Sequence, residues 1–210
     1  MANRLLKDYK NISLKPEELD GKVDFSCIFG RSGPVHIEIG SGKGTFLVSQ
    51  AAALPEIDFL GVEWANKYYR HAVDRFGRWG LSNVRIIRTD AAFFVDEHVA
   101  DGSVDCFHIY FPDPWPKSRH HKRRFIGKEN MPNIIRALKT TGRINIATDH
   151  AGYFEQIKDV LDEQVQNGNI KYVDFKKAEG AKDSEAVGTN YERKYIVEGR
   201  NVYTIAAEKI

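Results

Sequence analysis

Cysteine is scarce: Cys27 and Cys106 are the only two in 210 residues. That excludes a disulfide framework and a cysteine metal cluster. Cys106 lies in the apolar run VDCFHIYF, where a reduced, buried thiol is expected. Long apolar runs are missing as well. No stretch approaches the ~20 residues of a membrane-spanning helix. The opening MANRLLKDYK has no apolar segment behind its basic residues, so a cytoplasmic protein without a membrane partner is expected. Strong net charge is absent too, the formal value being +2. A generic polycation is thereby excluded, and any nucleic-acid affinity must come from local clustering. There is no internal repeat or low-complexity tract. His36, His71 and His98 show no metal-ligand spacing, so they are read as structural and no metal is expected.

What is present suits one domain with a substantial core: 42% hydrophobic and 29% charged residues. Residues 1–33 are polar and broken by Gly and Pro, and read as a loose N-terminal arm. From residue 34 onward the chain reads as a single domain. Short apolar runs at 35–39, 59–62, 84–87, 104–111 and 144–147 alternate with helical patterns at 44–53, 65–79, 91–98, 125–139 and 151–165. This alternation predicts an α/β fold, a doubly wound, Rossmann-like, mostly parallel sheet with helices on both faces. Two later strand-like runs, 170–175 and 202–207, lack such a helical crossover and predict an antiparallel addition at one edge, giving seven strands.

In such sheets ligands bind beyond the carboxyl ends of the strands. Acids collect at those ends: Glu38, Glu63, Asp90, Asp113 and Asp149. The glycine run GSGKG after the first strand is not a phosphate loop, because Ile37 stands where that pattern needs glycine and Gly44 where it needs Ser or Thr. Gly40, Gly42 and Gly44 give G-x-G-x-G, so the dinucleotide fingerprint fails as well. What remains is a tight turn, Gly40 and Gly42 included, that lets backbone approach a ligand closely. The acids would repel phosphates and suit a cationic ligand. Glu63 sits where a carboxylate can accept hydrogen bonds from both ribose hydroxyls. S-adenosylmethionine meets this description; the competing reading is a generic strand-to-helix turn.

The stretch FPDPWPKSRHHKRR, 111–124, carries three of the seven prolines around Asp113 and Trp115. Lys117, Arg119, His120, His121, Lys122, Arg123 and Arg124 follow directly. A solvated charged face is the ordinary reading of such a run. Its place at the predicted site rim, with prolines restricting its swing, favours contact with an RNA backbone. Trp115 and Tyr110 are open between base stacking and core packing. Thr189-Asn190-Tyr191-Glu192 reads locally as a helix capping box.

Together, FPDPWPKSRHHKRR, the upstream IEIGSGKG and the downstream TNYERK resemble the tRNA (guanine-N7)-methyltransferases, class I S-adenosylmethionine-dependent enzymes. The resemblance covers roughly residues 35–210. It implies methyl transfer to guanine N7 in the variable loop of tRNA, and a monomer or homodimer. It also implies cofactor roles for Glu38, Glu63, Asp90 and Asp113. Asp113, fixed between prolines, is further expected to touch both cofactor and base and to be the catalytic residue. Lys117, Asp149 and the segment Thr189, Asn190, Tyr191, Glu192 would engage the substrate. The family's usual wording of that segment is T-K-F-E; here Asn190 replaces the lysine. Three rivals are a base amino-methyltransferase, whose [ND]-P-P-[FYW] loop DPWP resembles in altered order, a dinucleotide dehydrogenase, and a non-enzymatic RNA-binding module.

Overall fold

A computed structural model describes residues 5–210. The chain opens with a two-residue strand β1 (Ser13–Leu14) and a short helix α1 (Phe25–Phe29). Then β2 (Val35–Ile39), α2 (Thr45–Ala53), β3 (Asp58–Val62), α3 (Asn66–Trp79), β4 (Val84–Ile87), α4 (Ala91–His98) and β5 (Val104–Tyr110) alternate. The second half continues with α5 (Met131–Ala137), β6 (Leu138–Thr148), α6 (Ala151–Gln166), β7 (Ile170–Val173), α7 (Asn190–Val197) and β8 (Tyr203–Lys209). No helix among the described residues is long and apolar enough to cross a membrane.

The strands form one eight-stranded sheet in the order β1-β4-β3-β2-β5-β6-β8-β7. Six strands run parallel, and β8 lies antiparallel between β6 and β7. The antiparallel strand is therefore inside the sheet, and β7 is the edge. The eighth strand, β1, comes from the segment expected to be a loose arm. There Ser13 and Leu14 pair with Ile86 and Ile87, Ile12 is buried, and Asp24 caps α1 by accepting from the Ser26 N–H at 2.8 Å. Two other expectations shift. The helix expected at 125–139 starts at Met131, because Pro132 has no N–H to give and fits only a first turn. The strand expected at 144–147 runs from Leu138, with a bend at Thr141 (φ 64°).

Alternation along the strands sends their side chains to opposite faces. Ile37, Ile39, Phe107, Ile109, Ile144 and Ile146 pack with Phe94 of α4, Ile134 of α5 and Ile157 of α6. On the other face Phe59, Val84, Ile86 and Tyr110 pack with Phe46 of α2 and Phe76 of α3. Strand order reverses between β2 and β5, which are paired along Ile37↔Phe107 and Ile39↔Ile109. A crevice at that switch point is where a ligand belongs in this architecture.

Candidate active site

The crevice is built by the turn after β2. Gly40, Gly42 and Gly44 all have left-handed backbones, φ 73°, 56° and 68°. At Gly44 a Cβ would also lie 2.4 Å from the Phe76 ring, so α2 can start there only with glycine. At Gly40 and Gly42 a Cβ would meet nothing within 4 Å, so both present bare backbone to open space. Glu63, at the end of β3, holds the turn: its Oε2 accepts from the Gly42 N–H and its Oε1 from the Ala65 N–H, each at 2.7 Å. One lone pair on each oxygen is left for a ligand hydroxyl. Burial pushes the Glu63 carboxyl above its ordinary range; those N–H groups oppose the shift, and the charge of Asp113 adds to it.

Glu38 lies deeper, only 4% exposed, and its Oε2 has no hydrogen-bond partner. The buried Ser41 Oγ is likewise unpartnered. Burial, with Glu63 nearby, raises the Glu38 carboxyl well above its ordinary 4.5. A buried carboxyl of this kind is stabilised in its ionised form by an incoming cation. A cavity of about 250 Å³ opens here, lined by Glu38, Gly40, Ser41, Gly42, Asn190 and Tyr191 among others. Unsatisfied carboxyl and hydroxyl oxygens at its wall and exposed glycine backbone at its turn fit a cationic, ribose-bearing cofactor. They do not fit a pyrophosphate.

A pH prediction follows from Glu38. In the folded protein it holds its proton to higher pH than in the unfolded chain. Its stabilising effect is fully present below about 4.5 and is lost as pH rises through the elevated folded value. Urea unfolding of cofactor-free Glu38→Gln should lack this part of the decline. An identical pH profile in variant and wild type would refute the assignment.

The two distant motifs meet in this cavity. Asn190 Nδ2 donates to Thr45 Oγ1 at 2.9 Å, tying the start of α7 to the end of the glycine turn. This is the contact made where the family's usual wording has lysine. Thr189 caps α7, its Oγ1 accepting from the Glu192 N–H at 3.0 Å. Glu192 does not complete the reciprocal half of a capping box. It is 1% exposed, and its carboxylate accepts from the backbone N–H groups of Ala186, Val187 and Gly188. Glu192 is an anchor for the preceding loop, with no surface left for a substrate.

Asp113 is exposed beyond β5. The prolines are only part of what fixes it. Phe111 and Trp115, on either side, both have left-handed backbones, φ 51° and 42°. Bulky residues in that region cost on the order of 1–3 kcal/mol each, and such strain clusters at functional sites. Asp149 is held by Arg200, whose Nη1 donates to its Oδ2 at 2.9 Å; the Arg200 guanidinium lies over the Tyr195 ring, 4.7 Å from its centroid. Asp90 stands apart from the cavity as the exposed N-cap of α4, accepting from the Phe93 N–H at 2.9 Å.

Lys117 through Arg123 lead into and form a 3-10 turn, Ser118–Arg123. Lys117, Arg119, Lys122 and Arg123 are exposed, and His120 and His121 half-buried. Trp115 neither enters the core nor stands free. Arg123 lies 5.0 Å over its ring, and His120 packs on it edge-on. Tyr110 is core: it is buried and hydrogen-bonded to His108 at 2.8 Å. Arg124 corrects the expectation that every basic residue faces RNA. It is 5% exposed, with Nε donating to the Pro114 carbonyl at 2.7 Å and Nη1 to Gln156 Oε1 at 2.6 Å. Its guanidinium covers the Tyr153 ring. Arg124 staples the end of the stretch to its beginning.

Sequence reading passed over Ser41, Tyr68 and Lys194, which line the cavity, and Arg200. Ser41 lies within the glycine run and Lys194 one turn past Asn190; both are legible by proximity. Arg200 had no local signal, since its partner is 51 residues away.

A family model described as "Putative methyltransferase" matches residues 32–205. The chain is 34% identical over 198 residues to the tRNA (guanine-N(7)-)-methyltransferase of Streptococcus thermophilus, covering 94% of this chain and 90% of that one. It is 34% identical over 199 residues to the enzyme of that name from Rhodopirellula baltica, covering 92% of this chain and 73% of that one. Among solved structures, a 30S ribosomal A1408 methyltransferase from an uncultured bacterium aligns with a TM-score of 0.60 at 17% identity, covering 90% of this chain and 95% of that one. A SAM-dependent methyltransferase from Aquifex aeolicus aligns at 0.55 and 11% identity, covering 85% and 84%. Those two likenesses carry the fold, class I methyltransferase, and the sequence relatives carry the family. The chain belongs to the tRNA (guanine-N(7)-)-methyltransferases.

Proposed function

We propose that this protein transfers the methyl group of S-adenosylmethionine to N7 of a guanine in tRNA, the variable-loop guanine by family resemblance. The observation that carries this reading is the shared cavity: an unpaired buried carboxyl and bare glycine backbone on one wall, the Thr189–Tyr191 segment on the other. S-adenosylmethionine, when bound, supplies an electrophilic methyl group on a sulfonium cation. Glu38, Ser41, Gly40, Gly42 and Glu63 would hold it, with Asp90 at the neighbouring strand end.

Guanine N7 carries a free lone pair, so the chain need supply no general base. Its task is alignment, an orientation effect. Asp113 would accept hydrogen bonds from guanine N–H groups and favour the positive charge that develops on the base. Asp149, oriented by Arg200, and Asn190 and Tyr191 at the cavity mouth would meet the substrate. Lys117, Arg119, His120, His121, Lys122 and Arg123 would track the phosphates.

Incubating the protein with labelled S-adenosylmethionine and total tRNA, then cleaving selectively at 7-methylguanine, tests the reading. Label on an exocyclic nitrogen would overturn it in favour of an amino-methyltransferase. Lys122→Ala with Arg123→Ala should weaken tRNA binding and flatten the slope of log K against log salt by about two phosphate contacts. Arg124→Ala should leave that slope unchanged while destabilising the protein. A slope altered by Arg124→Ala alone would return that residue to the RNA surface.

A further inference from the structure

Sheet register places a second polar cluster on the same face as Glu38, in a neighbouring cavity that shares Phe46 and Tyr110 with the cofactor cavity. His36 is paired with Cys106, and Glu38 with His108, across β2 and β5. Asn145 of β6 is paired with His108 on the other side. Parallel neighbours point the same way, so imidazole, thiol, imidazole and amide converge where an apolar face would be ordinary. We propose that His36 Nδ1, Cys106 Sγ and His108 Nε2 form a binding site for a divalent, borderline-soft metal ion, zinc above all.

The three ligand atoms lie within 4.8 Å of one another. The two nitrogens are 3.1 Å apart. Zinc–nitrogen bonds of ~2.0–2.1 Å in a tetrahedron put two nitrogens about 3.3 Å apart, so that edge is nearly formed. The sulfur has to close on it by a small side-chain movement. Surrounding partners are those that metal ligands use. His108 Nδ1–H can donate to Tyr110 Oη at 2.8 Å, the tautomer that leaves Nε2 free to ligate. Asn145 Nδ2 donates to Cys106 Sγ at 3.2 Å, the contact a thiolate needs. Asn145 Oδ1 is buried without a partner, an acceptor for a metal-bound water in the fourth position.

On ligation, Cys106 releases its thiol proton to solvent, and the His36 proton resides on Nε2. Burial keeps both imidazoles in the neutral, ligating form, His36 down to about 4. It also pushes the free thiol up to about 12, so the metal must itself draw off that proton. An entry path exists: a cavity of about 300 Å³ is lined by all three ligands, Asn145 and the 176–179 segment. Cys106 and His108 sit on one strand, but His36 lies 72 residues before His108, which is why no spacing pattern revealed the group.

The test uses the full chain, stripped with a chelator and titrated with Co²⁺. The expected result is one equivalent bound, with a near-ultraviolet thiolate-to-cobalt band that Zn²⁺ abolishes by displacement. Cys106→Ser should remove the band, and Cys27→Ser should retain it. His36→Gln should weaken Co²⁺ binding by roughly tenfold or more, since tenfold is already the lower end for losing an outer-shell partner. In the wild-type chain, Zn²⁺ should shield Cys106 from a thiol reagent, read by mass spectrometry, so the test survives a variant that fails to fold. Absence of the band in wild type, its loss on Cys27→Ser, or unshielded Cys106 would leave a hydrogen-bonded histidine pair only.

Discussion

Asp113→Ala is expected to lower methyl transfer by about 10²–10³-fold, the usual cost of deleting one preorganised electrostatic contact to a developing charge. tRNA binding should survive, because the exposed basic residues of the 117–123 segment lie outside the substitution. The loss should fall on kcat, since the contact strengthens as charge develops on the base. Asp113→Asn would keep shape and one acceptor, and should recover part of the rate. Single-turnover rates with saturating tRNA, beside filter binding at several salt concentrations, check both parts. Full activity in Asp113→Ala would remove this residue from the reaction. Loss of tRNA binding alone, with an unchanged single-turnover rate, would make it a docking group.

Glu192→Ala should be the most damaging substitution to the fold around the site. It strips three backbone N–H groups, those of Ala186, Val187 and Gly188, of their acceptor. At about 1–3 kcal/mol for each donor left buried without a partner, several kcal/mol of stability are at stake. Urea unfolding reads the loss, and the released start of α7 should raise KM for tRNA as Asn190 leaves Thr45. Glu192→Gln, which keeps one carbonyl oxygen, should fall between. A Glu192→Ala protein as stable as wild type yet inactive would instead make Glu192 a direct substrate contact.

How much of this was legible depended on whether the partners were close in sequence. Acids at strand ends and the glycine turn are local patterns, and Glu38, Gly40 and Gly42 do line one cavity. The parallel α/β core followed from periodicity in short runs. Arg124 was misread because nothing in HHKRR distinguishes it from Arg123; its burial is decided by Gln156 and Tyr153, on a helix about thirty residues on. Glu192 showed the spacing of a capping box, but its carboxylate found the loop before the helix. β1 escaped notice because two residues have no period, and its pairing with β4 is set by the sheet edge.

The insertion of β8 between β6 and β7 has a consequence for how the protein is assembled. After Val173 the polypeptide has made β7, yet that strand has no neighbour in the sheet until Tyr203–Lys209 arrives. The intervening segment holds Thr189, Asn190, Glu192 and Arg200. Pairing across such a separation is intrinsically slow. A nascent chain can thus shape the glycine turn and the floor of the crevice early, while its substrate wall waits for the last strand. In pulse-labelled hydrogen exchange, amides of β2 and β5 should gain protection before those of α7.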